Sequence, residues 1–268
     1  MEENRIVLGI VGSPNPEGRT NQLILAALKG ASDAGATTER IQMSEYVVAA
    51  CKDCLSSVCQ DNLKCTYGDE AFETLSRKIL NCGALVLGTP VYWSDTSGFV
   101  KYLILKMFRV YARSAPLQGL PAFGISIAGG TGNGLVSGLR PVYHFFQMMQ
   151  MRALEPVPAT RFNFNQALER AGELGGQIAG MTKGRTAFNS LEERLVWYDR
   201  LPYLGLSRAG ERRLLADFAA MEAAEDMAGD VLSGLARSDT LAAAGRSVES
   251  LSEITKVYEA GVKIFENK

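Results

Sequence analysis

Three short apolar runs decide most of what this chain can become. RIVLGIV at 5–11, ALVL inside GALVLGTPVYW and PAFGISIA at 121–128 are too short for core helices, and they do not alternate apolar with polar residues. They read as strands buried on both faces, which belong to a parallel sheet covered by helices. Thr37 to Met43 alternates enough for a second strand, and a short one is expected around Arg152 to Val157. Helical spacings separate them. Leu23, Leu25, Ala26, Ala27 and Leu28 predict a helix that stops at Gly30 and Gly35, and Phe72, Leu75 and Ile79 predict another from Asp69. Further helices are expected from about Ser97 to Arg113, around HFFQMMQM, and from Gln166 to Met181. Five strands alternating with helices predict a doubly wound α/β sheet, whose ligands sit where the carboxyl ends of the strands meet the following loops.

Beyond about residue 185 the strands cease. Leu214, Phe218, Met221, Val231 and Leu235, then Val248, Leu251, Ile254, Tyr258, Val262 and Phe265, fall near helical spacing. The reading is an α/β domain over 1–184 and a helical extension over 185–268 built of two or three helices. Their apolar stripes must be covered by the α/β domain or by another subunit. With 28 basic and 29 acidic residues, the formal charge of -1 argues against nucleic acid or a membrane surface as the main partner. No apolar stretch reaches bilayer length, and the start does not resemble a signal peptide. A cytoplasmic protein is expected, where clustered thiols point to metal or redox chemistry rather than structural disulfides.

Each buried strand runs into a loop with a chemical character. In GSPNPEGRTN the polar side chains of Ser13, Asn15, Thr20 and Asn21 stand where a helix begins, so its free N–H groups and dipole suit a phosphate; Thr20 as an ordinary N-cap is the simpler alternative. A Walker A loop is excluded by one residue too many between the glycines and by Arg19 where lysine is needed. No G-x-G-x-x-G follows the first strand, nor does GGTGNG supply it, which excludes the dinucleotide fingerprint.

GSPNPEGRTNQLILAAL, GTPVYW and IAGGTGNG together resemble the flavodoxin-like NADPH-dependent FMN reductases, over about residues 4–181. The resemblance implies a flavodoxin-like five-stranded sheet that binds FMN. Ser13, Asn15, Arg19, Thr20 and Asn21 would surround the phosphate, with Arg19 carrying the charge that the family commonly has at the position of Asn15. Pro90, Val91, Tyr92 and Trp93 would line the isoalloxazine ring; plain core packing is the alternative for the two aromatics. Gly129, Gly130 and Gly132 would let backbone approach the ring edge.

CKDCLSSVCQDNLKC holds four of the five cysteines in what reads as a loop after the second strand. Four thiolates are the usual set for an iron-sulfur cluster, and within the resembled family a cysteine loop here marks the iron-sulfur flavoproteins. The resemblance thus implies a cluster on Cys51, Cys54, Cys59 and Cys65, although the family's middle gap is two residues shorter. Zinc, a redox dithiol at Cys51 and Cys54, or inert thiols stay open. Cys82 is expected as a buried space-filler, and His144, the only histidine, as a packed side chain. No catalytic side chain is assigned.

The function expected is an FMN protein passing electrons between a two-electron donor such as NAD(P)H and a one-electron acceptor, through the cluster. Alternatives are an NAD(P)H-dependent flavin or quinone reductase without a cluster, and an electron-carrier subunit reduced by a protein partner. Donor and acceptor are small molecules or proteins, and a homo-oligomer is expected by resemblance.

Overall fold

The computed structural model describes residues 6–224 and 226–267. Arg5, the expected start of the first strand, lies outside the described residues, as do the first residue of the expected α/β domain and the last of the expected extension. The elements run β1 (Ile6–Val11), α1 (Arg19–Asp33), β2 (Thr37–Gln42), α2 (Ser56–Asn62), α3 (Glu70–Asn81), β3 (Ala84–Pro90), α4 (Gly98–Tyr111), β4 (Pro121–Ala128) and α5 (Leu135–Met148). β5 (Arg152–Ala153), β6 (Val157–Thr160), α6 (Phe164–Met181), α7 (Leu191–Asp199), α8 (Arg208–Ala223), α9 (Gly229–Ala243) and α10 (Ser247–Glu266) complete the order.

All strand pairs are parallel, in the order β2-β1-β3-β4-β5, with β6 also on β4. β5 and β6 are two pieces of one fifth strand. Their register against β4 slips by one residue between Ala153 and Val157, at Pro156, which has no N–H to give the ladder. The strand therefore extends to Thr160, past the expected end near Val157.

Both faces of the sheet are apolar, so the runs show no alternation even though successive side chains part company. Val7, Val11, Val86, Phe123 and Ile125 pack with α1 and α6, whereas Leu8, Ile10, Leu85 and Leu87 pack with the helices α3, α4 and α5. On the first face α1 and α6 approach backbone to backbone. A Cβ on Gly30 would lie 1.9 Å from the carbonyl oxygen of Gly172, and one on Gly175 the same distance from that of Ala27. Gly30 is thus a contact residue inside α1 and not its stop; the helix continues to Asp33 and ends at Ala34 and Gly35, where φ is +86°.

Among the described residues the tail holds four helices where two or three were expected. Its first part straps the β5 edge: Trp197 Nε1 donates to Ala153 O at 2.8 Å and Tyr198 Oη to Met151 O at 2.8 Å. The later helices seat at the carboxyl end of the sheet, where Leu215, Ala219, Ile254 and Tyr258 share a core with Ala128, Leu135 and Phe162. The α/β unit therefore covers much of the tail's apolar surface, although Met221 and Val248 remain exposed.

The α1–α6 approach leaves no room for a methyl group. Gly175→Ala is expected to lower stability by about 2 kcal/mol or more, because backbone rather than a side-chain tip must move. Urea denaturation of the full chain measures it.

Candidate functional site

The parallel strands deliver GSPNPEGRTN, GTPVYW and GGTGNG to one end of the sheet, and hydrogen bonds tie the loops together. Gly12 N donates to Gly88 O at 2.8 Å, and Ser97 Oγ donates to Gly12 O at 2.6 Å. Thr89 Oγ1, at the end of β3, receives Ser97 N at 2.9 Å and lies 2.6 Å from Thr96 Oγ1. Gln42 Nε2, from the end of β2, donates to Ser13 O at 2.6 Å. Val91 N donates to Ile127 O at 2.8 Å, and a Cβ on Gly134 would lie 2.9 Å from Ser94 Cα, so the second and third loops are in contact. Sequence reasoning missed Gln42, Thr89, Thr96 and Ser97 as parts of the site; their positions at strand ends and before a helix, and for Thr89 its place inside GTPVYW, could have flagged them.

The first loop leaves hydrogen-bond donors unpaired at the start of α1. Asn15 N donates to Ser13 Oγ at 3.2 Å and Glu17 N to Asn15 Oδ1 at 3.0 Å, which folds the loop on itself while leaving the Ser13 hydroxyl proton and the Asn15 amide as donors. The residue flanking α1 is Gly18, no side chain caps the helix, and its first turn has no acidic residue. Among the described residues, the N–H groups of Arg19, Thr20 and Asn21 have no acceptor. By contrast Asp69 caps α3, Ser97 caps α4 and Ser190 caps α7. Thr20 is therefore not an N-cap; it is buried inside the first turn, against Gly88. Asn21 accepts from Arg40 Nη1 at 3.2 Å, and exposed Arg19 stands over the Phe164 ring at 5.4 Å.

In the second loop Pro90 is buried and Val91 partly so. Tyr92 and Asp95 exchange backbone hydrogen bonds of 3.0 and 3.1 Å around Trp93 and Ser94, whose φ angles are +53° and +57°. This is a type I′ turn with no glycine, a conformation that costs roughly 1–2 kcal/mol per residue. Trp93 is 100% exposed and Tyr92 48%, so neither aromatic is core packing. In the third loop a Cβ on Gly129 or Gly130 would meet open space, whereas one on Gly132 would lie 2.7 Å from Leu215 Cδ2 of α8. Gly129 and Gly130 leave the mouth free of side chains; Gly132 makes room for the tail.

The cysteine stretch is not all loop, for α2 runs through it and carries Cys59. Cys54 and Cys59 sulfurs lie 3.5 Å apart, and the Thr66 hydroxyl is 3.5 Å from Cys59. The Thr66 contact holds the Cys59 thiol below its ordinary range against the effect of burial, with the Arg109 charge helping; the contact with Cys59 raises Cys54. Among the described residues, no three His, Cys, Asp or Glu side chains are grouped to hold a metal. Cys51, Cys54, Cys59 and Cys65 have the donor chemistry for a cluster, but this arrangement brings only one pair together, and that pair is not the Cys51–Cys54 pair expected for a dithiol. Cys82 is buried, its thiol pushed up to about 12 by burial, as a space-filler should be. His144 is exposed on α5, contrary to the packed role expected.

Helix α4 anchors this stretch. Arg109 Nη2 donates to Cys54 O at 2.7 Å and pairs with Asp53, and buried Lys106 pairs with buried Asp69, which also receives Ala49 N and Phe72 N. Burial raises the Asp69 carboxyl, but Lys106 and the two amides outweigh it and hold it below the ordinary range. Its stabilising effect is therefore complete above the unfolded carboxylate value of about 4 and fades as pH falls through the lower folded value. Asp69→Asn should cost about 3 to 5 kcal/mol at pH 7 by stranding Lys106, and less at pH 3, as read from urea denaturation at both pH values.

Comparison with known proteins gives this geometry a family. The family model of the NADPH-dependent FMN reductases matches residues 6–160. An iron-sulfur flavoprotein of Methanocaldococcus jannaschii is 25% identical over 191 residues, covering 66% of this chain and 97% of its own. An iron-sulfur flavoprotein of Archaeoglobus fulgidus is 32% identical over 98 residues, 37% of this chain and 46% of the relative. Among solved structures, a flavone reductase superposes with a TM-score of 0.51 at 17% identity, over 66% of this chain and 63% of its own. The azoreductase AzrA gives 0.51 at 14% identity, over 64% and 99%. These two likenesses concern the fold. The matched span includes all three loops and more than half of the chain, and this protein belongs to the NADPH-dependent FMN reductase family, a family of flavin oxidoreductases.

Proposed function

We propose that this chain binds FMN across the three loops and passes electrons between a two-electron donor, a reduced nicotinamide or a compound like it, and a one-electron acceptor. The uncapped start of α1 carries this reading: three unpartnered N–H groups and the helix dipole meet there, the first turn holds no acidic residue, and Arg19 stands in that turn. Such an end binds a phosphate monoester. Ser13, Asn15, Thr20 and Asn21 add polar groups there. Pro90, Val91, Tyr92 and Trp93 flank the place for a flat ring, and Gly129 and Gly130 keep its edge clear. Bound FMN would supply acceptance of a hydride or electron pair and release of single electrons. The chain's part is to hold it, exclude side chains from its edge and leave one face accessible beside the exposed Tyr92–Trp93 turn.

The names of the relatives support an iron-sulfur cluster on Cys51, Cys54, Cys59 and Cys65. The sulfur positions favour a second reading, a cluster-free flavin or quinone reductase whose loop carries a Cys54–Cys59 dithiol. No step is assigned through either. Reduction by a protein donor would make the chain an electron carrier. A cytoplasmic homo-oligomer is part of the proposal, in keeping with the exposed apolar side chains Leu105, Phe108 and Met148 on α4 and α5; among the described residues no helix is long and apolar enough to cross a membrane.

Anaerobically purified protein is expected to take up FMN and to bleach on adding NADPH or NADH; failure to bind FMN at micromolar concentration would end the reading. Iron and acid-labile sulfide assays on the same sample decide between cluster and dithiol. Arg19→Ala should weaken FMN about 10-fold and leave riboflavin affinity unchanged, since only the phosphate loses a charged partner. Equal losses for both flavins would place Arg19 elsewhere.

A further inference from the structure

The family match ends at residue 160 and leaves out the helices α8 to α10, yet these helices grip the third loop at three points. Leu215 fills the space that opens only because Gly132 has no side chain. Tyr258 Oη, on α10, donates to Thr131 O at 2.8 Å. Glu211 Oε1, on α8, accepts from Val136 N at 3.0 Å and so caps α5, whose flanking Gly134 has no side chain to do it.

The gripping residues are themselves fixed. The Tyr258 ring meets Phe162 edge-on at 6.0 Å between centroids, and the Arg212 guanidinium stands 3.8 Å from its centroid on the other contact. Phe162 also meets Phe265, and Arg161 pairs with Glu266 at 2.8 Å, which pins α10 to the end of the sheet. The loop they hold has little stiffness of its own. Gly130, Gly132 and Gly134 all have positive φ, from +54° to +84°, so the free loop would lose much conformational entropy on closing against a ligand.

We propose that Glu211 and Tyr258 are positioning residues of the flavin edge: from the C-terminal helices they hold the Gly129–Gly134 loop in its binding conformation, lowering the ordering cost of flavin binding. The proposal rests on the FMN reading above. Glu211 has a second consequence, because its carboxylate sits at the positive end of the α5 dipole and offsets a field that would favour negative charge gained by a neighbouring ligand.

The test uses the full-length chain with Tyr258→Phe, Glu211→Ala and Glu211→Gln. It reads FMN and riboflavin affinity by flavin fluorescence, the midpoint potential of the bound flavin, and amide hydrogen exchange over residues 129–136. Tyr258→Phe and Glu211→Ala should each weaken both flavins by about 3- to 10-fold, the effect of one hydrogen bond, and speed exchange in the loop. Glu211→Gln keeps an oxygen for Val136 N–H, so it should restore affinity while moving the potential to a more positive value. Unchanged affinity and exchange in folded Tyr258→Phe and Glu211→Ala would overturn the proposal, as would losses confined to FMN, which would assign the effect to the phosphate. If the parent chain binds neither flavin, the FMN reading is what fails. Exchange then decides the clamp alone: no change in the variants overturns it, and faster exchange upholds it.

Discussion

Every strand of the sheet runs in the same direction, and the site depends on that constraint. Parallel pairing forces each connection to cross back over a face, so both faces are covered by helices and every strand ends at the same rim. Three loops far apart in sequence therefore become neighbours. The bonds that lock them are short-range products of the same register: β3 lies between β1 and β4, so Gly88 can receive Gly12 N and Val91 can donate to Ile127. Thr89 at that junction collects Ser97 N and the Thr96 hydroxyl, fixing the start of α4 to the end of β3.

The rim is then differentiated by what its helices lack or receive. α1 begins without a cap and leaves its first N–H donors unpartnered, whereas α5 is capped from a distant helix by Glu211. Two helix starts of like polarity thus have different chemistry. Beside them a Tyr92–Asp95 turn holds two successive residues at positive φ, one of them a fully exposed tryptophan.

The cysteine stretch obeys a separate set of contacts. It is tied to α4 by Arg109 and, near its base, by the buried Lys106–Asp69 pair, so its backbone is held even though its sulfurs are not gathered into a cage. The extra residues between Cys54 and Cys59 fold into the first turn of α2, which swings Cys59 inward against Cys54 and Thr66. Spacing along a chain predicts sulfur positions only if the intervening backbone is irregular, and here part of it is helical.

Strand runs, their order of alternation with helices, and the loops that end them were legible in the sequence, because burial on two faces requires unbroken apolar segments and turns require Gly, Pro and small polar residues. The limits of β4 and the stripe Phe72, Leu75 and Ile79 follow from that pattern alone. Close approach is not written in the same way. Gly30 reads as a helix stop until α6 is seen against it, and Gly132 reads as a gap for a ligand until Leu215 is found there. A missing side chain records that something comes near, not what it is. The capping of α5 by Glu211 and the hold of Tyr258 on Thr131 span 75 and 127 residues, and such pairs have no local period or motif. The sequence by itself determined that there is a parallel sheet with a polar rim; only the packing of the tail decided which part of that rim is open and which is clamped.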